Sequence, residues 1–319
     1  MDVLRFEPIF KQALWGGSRL KTELSKATGD VQTVAESWEV ADLQNDQSIV
    51  VEGPHAGTSV RELLRTHKNE LLGKHADRDC FPLLVKFLDA NRDLSVQVHP
   101  GVEMARRVPD VTTGKAEFWV VLEAEPGSKI SVGLKENVDR QAMIDAIADG
   151  TVPELLHTYE VSAGDCIFLE PGTVHSLGAG ILVAEIQEPN NTTYRLDDWG
   201  RLGPDGNPRE LHTELALEAI NFDLGPIHPL DLPTAKAGYS RLLLENQFFA
   251  VQEHRGEASL EIPHDQRAHV LTMISGSAEL NSNSCNHIQK GETIVIPAQH
   301  EPLTLQLGEQ AVVLDSWLM

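Results

Sequence analysis

The sequence predicts a mainly β protein built from two sandwich- or barrel-like units with a few helices. Three observations predict it. Many short apolar or alternating runs are bounded by glycine and proline. Only a few segments carry helical periodicity, and a proline-rich break late in the chain is followed by a second set of strand-like runs. With 319 residues there is room for two cores.

In the first part, strand-like runs cover 83–88, 94–99, 118–122, 129–134, 166–169 and 181–187, separated by the turns EPGS, SAGD, EPGT and GAGI. Residues 59–72 (SVRELLRTHKNELL) read as a helix: Ser59 is placed to cap it, Glu62 follows three residues later, and leucines stand at 63, 64, 71 and 72. Residues 138–150 place Met143, Ile144 and Ile147 at helical spacing and end in Gly150. A third helical stretch, 210–221, leads to the break at 224–237 (LGPIHPLDLPTAKA), after which strands are expected at 240–244, 248–254, 269–274 and 293–296. The expected domains are therefore 1–225, with N-terminal strands and helical insertions, and 226–319.

Composition narrows the function classes. The formal net charge of −22 repels nucleic acid and anionic membranes, so neither is expected as a partner. It also repels a phosphorylated substrate at long range, so a phosphate site must be a local basic pocket. No basic segment leads into an apolar one at the N-terminus, and no run approaches the roughly 20 apolar residues of a membrane span. The expected location is cytoplasmic. Cys80, Cys166 and Cys285 are an odd, widely spaced set that argues against a disulfide framework. Asn190 and Asn191 each open an N-x-T sequon, a chance match without a secretion signal.

Three segments carry candidate chemistry. In 94–100 (LSVQVHP), alternation puts Ser95, Gln97 and His99 on one strand face. That face is either a solvated edge or turned towards something polar. In 114–122 (GKAEFWVVL), Lys115 and Glu117 share a face, which by itself also describes a surface ion pair. In 164–175 (GDCIFLEPGTVH), a strand runs into a Pro-Gly turn with His175 three residues after the glycine.

Together these segments resemble the two cupin motifs, the second only approximately. FPLLVKFLDANRDLSVQVHP, GKAEFW, GDCIFLEPGTVHSLGAGILVAE and TTYRLDDWGR, with WGGSRL and AESWEVAD upstream, are similar to the short bacterial form of the type I phosphomannose isomerases. The resemblance is strong over about residues 5–215 and weak beyond them. It implies two cupin-type jelly-roll barrels and a cytoplasmic zinc enzyme that interconverts mannose 6-phosphate and fructose 6-phosphate through an enediol. It implies one Zn²⁺ per chain, held by Gln97, His99, Glu117 and His175. This donor set suits a catalytic zinc, because a structural one would recruit cysteine.

The resemblance also implies Arg195 as a catalytic cation, with Glu185 and Lys115 as further catalytic candidates. Glu185 is the candidate general base, with an ion pair to Arg195 as its alternative. Lys86, Ser95, Trp15 and Glu36 are the substrate-side candidates. Lys86 lies in an apolar strand, where an unpaired ammonium is costly, so it needs a partner or a pocket unless it snorkels from an edge. The second unit, with 269–280 and 291–305, looks like a degenerate cupin pair whose His269 and His300 are isolated. Two other functions fit the motifs less well: a metal-dependent dioxygenase-like cupin and a non-catalytic sugar-binding cupin.

Overall fold

The computed structural model describes residues 1–319 except 109, 110, 204, 235 and 237. Strand pairing sorts the described strands into four sheets, with every pair antiparallel. The first unit holds a six-stranded sheet in the order Ile9–Lys11, Glu36–Val40, Leu84–Ala90, Ile181–Gln187, Glu117–Ala124, Cys166–Leu169. Opposite it lies a five-stranded sheet in the order Tyr194–Asp197, Val96–Val98, His175–Leu177, Lys129–Leu134, Leu156–Glu160.

Period-2 alternation gives the six-stranded sheet two different faces. Phe87, Ala184, Phe118, Val120 and Cys166 belong to one apolar cluster. On the other face, Leu88, Trp119, Val121 and Val183 pack against Ile130, Val132 and Leu177 of the five-stranded sheet. The polar candidates Lys86, Glu117 and Glu185 share this second face, so they project between the sheets.

The second unit pairs a six-stranded sheet (Leu4–Arg5, Thr293–Ile296, His269–Ser275, Val312–Trp317, Ala250–Arg255, Tyr239–Glu245) with a four-stranded one (Ala258–Glu261, Thr304–Leu307, Ser277–Leu280, His287–Gln289). Each unit is thus a pair of open sheets, not a closed barrel. Leu4 and Arg5 start the chain yet register against Val295 and Ile294 of the second unit. One cluster, including Leu63, Phe87, Phe118, Phe249, Val270 and Leu314, is common to both units. Burial of that shared surface is what holds them together.

The first predicted helix forms at Val60–Leu72, where Ser59 Oγ accepts from the Glu62 amide at 3.2 Å and Leu63, Leu64, Leu71 and Leu72 are buried. The second is Arg140–Asp149, capped by Asp139 at the Ala142 amide at 2.8 Å. Its inward face is Met143 and Ala146; Ile144, expected inside, is 38% exposed. Small Ala146 lies one turn from Met143 and lets the helix approach on that side. The third helix, Thr213–Ala219, is shorter than expected.

The break at 224–237 is tied to the first unit through Ile227 N–H to Val132 O (3.2 Å) and Leu230 N–H to Cys166 O (2.8 Å). It crosses at Gly133, where a Cβ would lie 2.2 Å from Gly225 O. Residues 235 and 237 of this stretch lie outside the described residues. Among the described residues, no helix is long and apolar enough to cross a membrane.

Candidate metal site

The strand Val96–Val98 lies between Tyr194–Asp197 and His175–Leu177, so its polar face is not an edge stripe. Register sets Arg195, Gln97 and His175 side by side across that sheet. The facing sheet supplies a second row, Lys86, Glu185 and Trp119, with Glu117 beside Gln187. Lys86 sits on the central strand Leu84–Ala90 and is buried, which removes the snorkelling alternative.

His99, Glu117 and His175, all buried, bring one ligand atom each within 4.8 Å of one another. His99 Nε2 is 3.1 Å from Glu117 Oε1, and His175 Nε2 is 3.7 Å from Glu117 Oε2. That second oxygen is buried with no hydrogen-bond partner. Each imidazole is oriented from behind: His99 Nδ1 donates to Thr192 O at 3.0 Å, and His175 Nδ1 to Thr173 O at 2.9 Å. Both bonds place the proton on Nδ1 and leave the Nε2 lone pair facing Glu117, the tautomer a metal ligand needs. Gly172, at φ +91°, completes the turn and gives its N–H to His99 O at 2.9 Å, tying one histidine segment to the other.

Gln97 Nε2 lies 3.3 Å from His175 Nε2, while its Oε1 accepts from Ser95 Oγ at 3.2 Å. Turning the amide over would present its oxygen to the same centre. Lys115 Nζ lies 2.9 Å from Glu117 Oε1 and 3.2 Å from His99 Nε2. Lys115 and Glu117 are therefore a buried pair, not a surface one.

The electrostatics follow from burial. Burial, reinforced by Lys115, pushes His99 down to about 3, and burial also lowers His175, so both rings are neutral donors at physiological pH. Burial raises the Glu117 carboxyl, but the Lys115 ammonium beside it outweighs that and holds the group well below the usual carboxylate range. A neutral bis-imidazole beside an ionised carboxylate, with one oxygen orphaned, fits a divalent cation of borderline character.

Next to this centre, Glu185 accepts from Trp119 Nε1 at 2.9 Å and pairs with Lys86 at 3.2 Å. It does not pair with Arg195. Burial, with the Glu117 charge, raises its carboxyl above the ordinary range. Lys86 also reaches Glu36 at 3.4 Å and lies 5.0 Å over the Trp38 ring. Arg195 is half-buried, donates from Nη1 to Glu210 O at 2.8 Å, and leaves Nε without a partner. Among the described residues no carboxylate lies within 4.0 Å of its guanidinium. Ser95 and Glu36 join the polar group, whereas Trp15 packs in the apolar cluster between the sheets.

Sequence reasoning missed Trp119, whose indole orients Glu185, and the Thr173 and Thr192 carbonyls. Carbonyls belong to every residue and leave no signal; Trp119 was legible only as part of an apolar strand. In the second unit, His269 is not isolated: Nδ1 lies 2.9 Å from Asp315, and Nε2 lies 3.4 Å from Asp265. Asp315 is on another strand, 46 residues away, beyond any local motif.

Known proteins resemble this chain over most of its length. Residues 3–117 match the family model described as the phosphomannose isomerase type I catalytic domain, and residues 240–314 match the mannose-6-phosphate isomerase cupin domain. The chain is 33% identical over 302 residues to the mannose-6-phosphate isomerase ManA of Bacillus subtilis, covering 93% of each. It is 30% identical over 305 residues to the probable mannose-6-phosphate isomerase GmuF of the same species, covering 95% of this chain and 96% of the relative. A crystal structure of the mannose 6-phosphate isomerase from Bacillus subtilis has a TM-score of 0.89 at 27% identity and covers 99% of both chains.

Proposed function

The chain belongs to the type I mannose-6-phosphate isomerase (phosphomannose isomerase) family, and from that premise we propose that it interconverts mannose 6-phosphate and fructose 6-phosphate using one Zn²⁺. The residues proposed to hold the ion are His99, Glu117 and His175, with the Gln97 amide as a weaker fourth. One observation carries this reading. Two buried imidazoles, each with its Nδ1 proton committed to a backbone carbonyl, converge on one carboxylate, whose Oε2, on the His175 side, has no hydrogen-bond partner. When bound, the ion would supply Lewis-acid polarisation of the sugar carbonyl, worth several kcal/mol.

The remaining chemistry falls to the chain's own side chains. Isomerisation moves a proton between C1 and C2 through an enediol, so it needs a base and a cation. Glu185 is the proposed base: its raised carboxyl, once ionised, is more basic than an exposed glutamate, and Trp119 and Lys86 fix its direction. Arg195, placed beside Gln97 by register and free of a carboxylate, is the proposed cation for the enediolate and the anionic substrate. Lys86 and Lys115 are already neutralised by glutamates, so they orient these groups more than they attract phosphate at a distance. Lys115 Nζ uses the same His99 lone pair that an ion would take, so metal binding would release this ammonium for substrate contact. Ser95 and Glu36 complete the proposed substrate side.

The division at 225/226 remains our reading of the domains, with the second unit as support for the first. Chelation is expected to abolish isomerase activity, assayed with mannose 6-phosphate, and added Zn²⁺ to restore it. Full activity in demonstrably metal-free protein would sink the proposal.

A further inference from the structure

Asn190 opens a sequon yet is buried, with both ends of its amide in use. Its Nδ2 donates to Thr113 O at 2.9 Å, and its Oδ1 accepts from the Thr192 amide at 2.7 Å. Its own carbonyl accepts from Gln187 Nε2 at 2.7 Å. These bonds lead directly into the candidate site. Thr192 O is the acceptor that fixes His99, and Thr113 begins the short segment that carries Lys115 and Glu117. The neighbouring Glu188 clasps the same segment from both sides: its amide donates to Ala116 O at 3.1 Å, and its Oε2 accepts from the Ala116 amide at 3.0 Å.

We propose that Asn190 is a positioning residue of the metal centre. It joins the backbone that aims the His99 imidazole to the backbone that delivers Glu117, so that two ligands from distant segments keep one spacing. The inference rests on the reading of His99 and Glu117 as metal ligands. Asparagine suits the task because one planar amide donates to a carbonyl and accepts from an N–H at the same time. Valine or leucine would leave two backbone groups, the Thr113 carbonyl and the Thr192 N–H, without these partners. The same burial excludes Asn190 as a glycan acceptor in the folded chain.

Asn190→Ala separates this role from plain support. Partners that orient metal ligands typically change metal affinity by about 10- to 100-fold. Zn²⁺-loaded protein is mixed with excess chelator well below its melting temperature, and ion release is followed by a colorimetric indicator. The expected result is release at least about tenfold faster than wild type, with kcat falling more than KM rises. The control is Thr272→Val, which removes the buried Thr293–Thr272 hydroxyl bond in the second unit and is expected to release zinc at the wild-type rate. Wild-type release from Asn190→Ala, or equally fast release from the control, would overturn the proposal. If the alanine variant does not fold, Asn190→Asp replaces it, keeping the acceptor towards Thr192 and losing the donor towards Thr113. It should release zinc faster than wild type, and an unchanged rate would again overturn the proposal. A wild-type protein that binds no divalent ion would refute the metal reading itself, a separate result from unchanged release by the variant.

Discussion

Replacing Lys86 by methionine keeps a long apolar stem and deletes one buried charge. Lys86 is 3% exposed and stands between Glu185 at 3.2 Å and Glu36 at 3.4 Å. Removing one partner of such a pair leaves an uncompensated buried carboxylate, which typically costs about 3–5 kcal/mol. Unfolding entropy of about 2.1 cal/mol/K per residue gives about 0.7 kcal/mol per degree for a chain of this size. The melting temperature should then fall by about 4–7 °C, provided both units unfold together, as their common core favours.

The loss should also depend on pH, with a defined sign. Burial and the Glu117 charge already raise the Glu185 carboxyl, and losing Lys86 raises it further. The folded state then holds a proton that the unfolded state releases, so stability is retained at low pH and lost as pH rises through the folded pKa. Thermal melts of metal-free wild type and Lys86→Met at about pH 5.5 and about pH 8 read this directly. The gap between the two proteins should be wider at the higher pH. An equal gap at both values, or one under about 1 °C, would refute the electrostatic reasoning.

Two further outcomes follow from other parts of the structure. Arg195→Lys should retain the metal and lower kcat by about 100-fold, the scale of losing one oriented donor to a developing oxyanion; steady-state kinetics with a metal assay checks it, and an unchanged kcat removes Arg195 from catalysis. In the second unit, burial pulls His269 down, but Asp315 and Asp265 outweigh it and raise the imidazole above its ordinary value. His254 and the Trp317 ring also face this group. Its stabilising contribution is therefore complete below about pH 6.5 and lost as pH rises through the raised value. Asp315→Asn should flatten that decline in melting temperature, and a variant that still follows the wild-type pH profile would contradict the pairing.

Much of the fold is legible because strand alternation is local information. Lys129–Leu134, Cys166–Leu169, Ile181–Gln187 and Thr293–Ile296 appear where the residues imply them. Leu4–Arg5 is not legible: two residues carry no period, and their partner strand lies almost a whole chain away. In the site, alternation alone puts Ser95, Gln97 and His99 on one face but leaves open whether that face is an edge. Only the strands on either side of Val96–Val98 decide it. The resemblance proposes which residues share an ion, whereas the backbone carbonyls behind the two imidazoles and the Lys86–Glu185 pairing emerge only from tertiary structure.

The most direct measurement is a crystal structure of zinc-loaded protein with anomalous data collected on both sides of the zinc edge. A single anomalous peak is expected, bonded to Nε2 of His99, Nε2 of His175 and a Glu117 oxygen at about 2.0–2.2 Å. A fully active crystal form with no peak there, or with its only peak at an exposed site such as the stacked His264–His300 pair, would contradict the account.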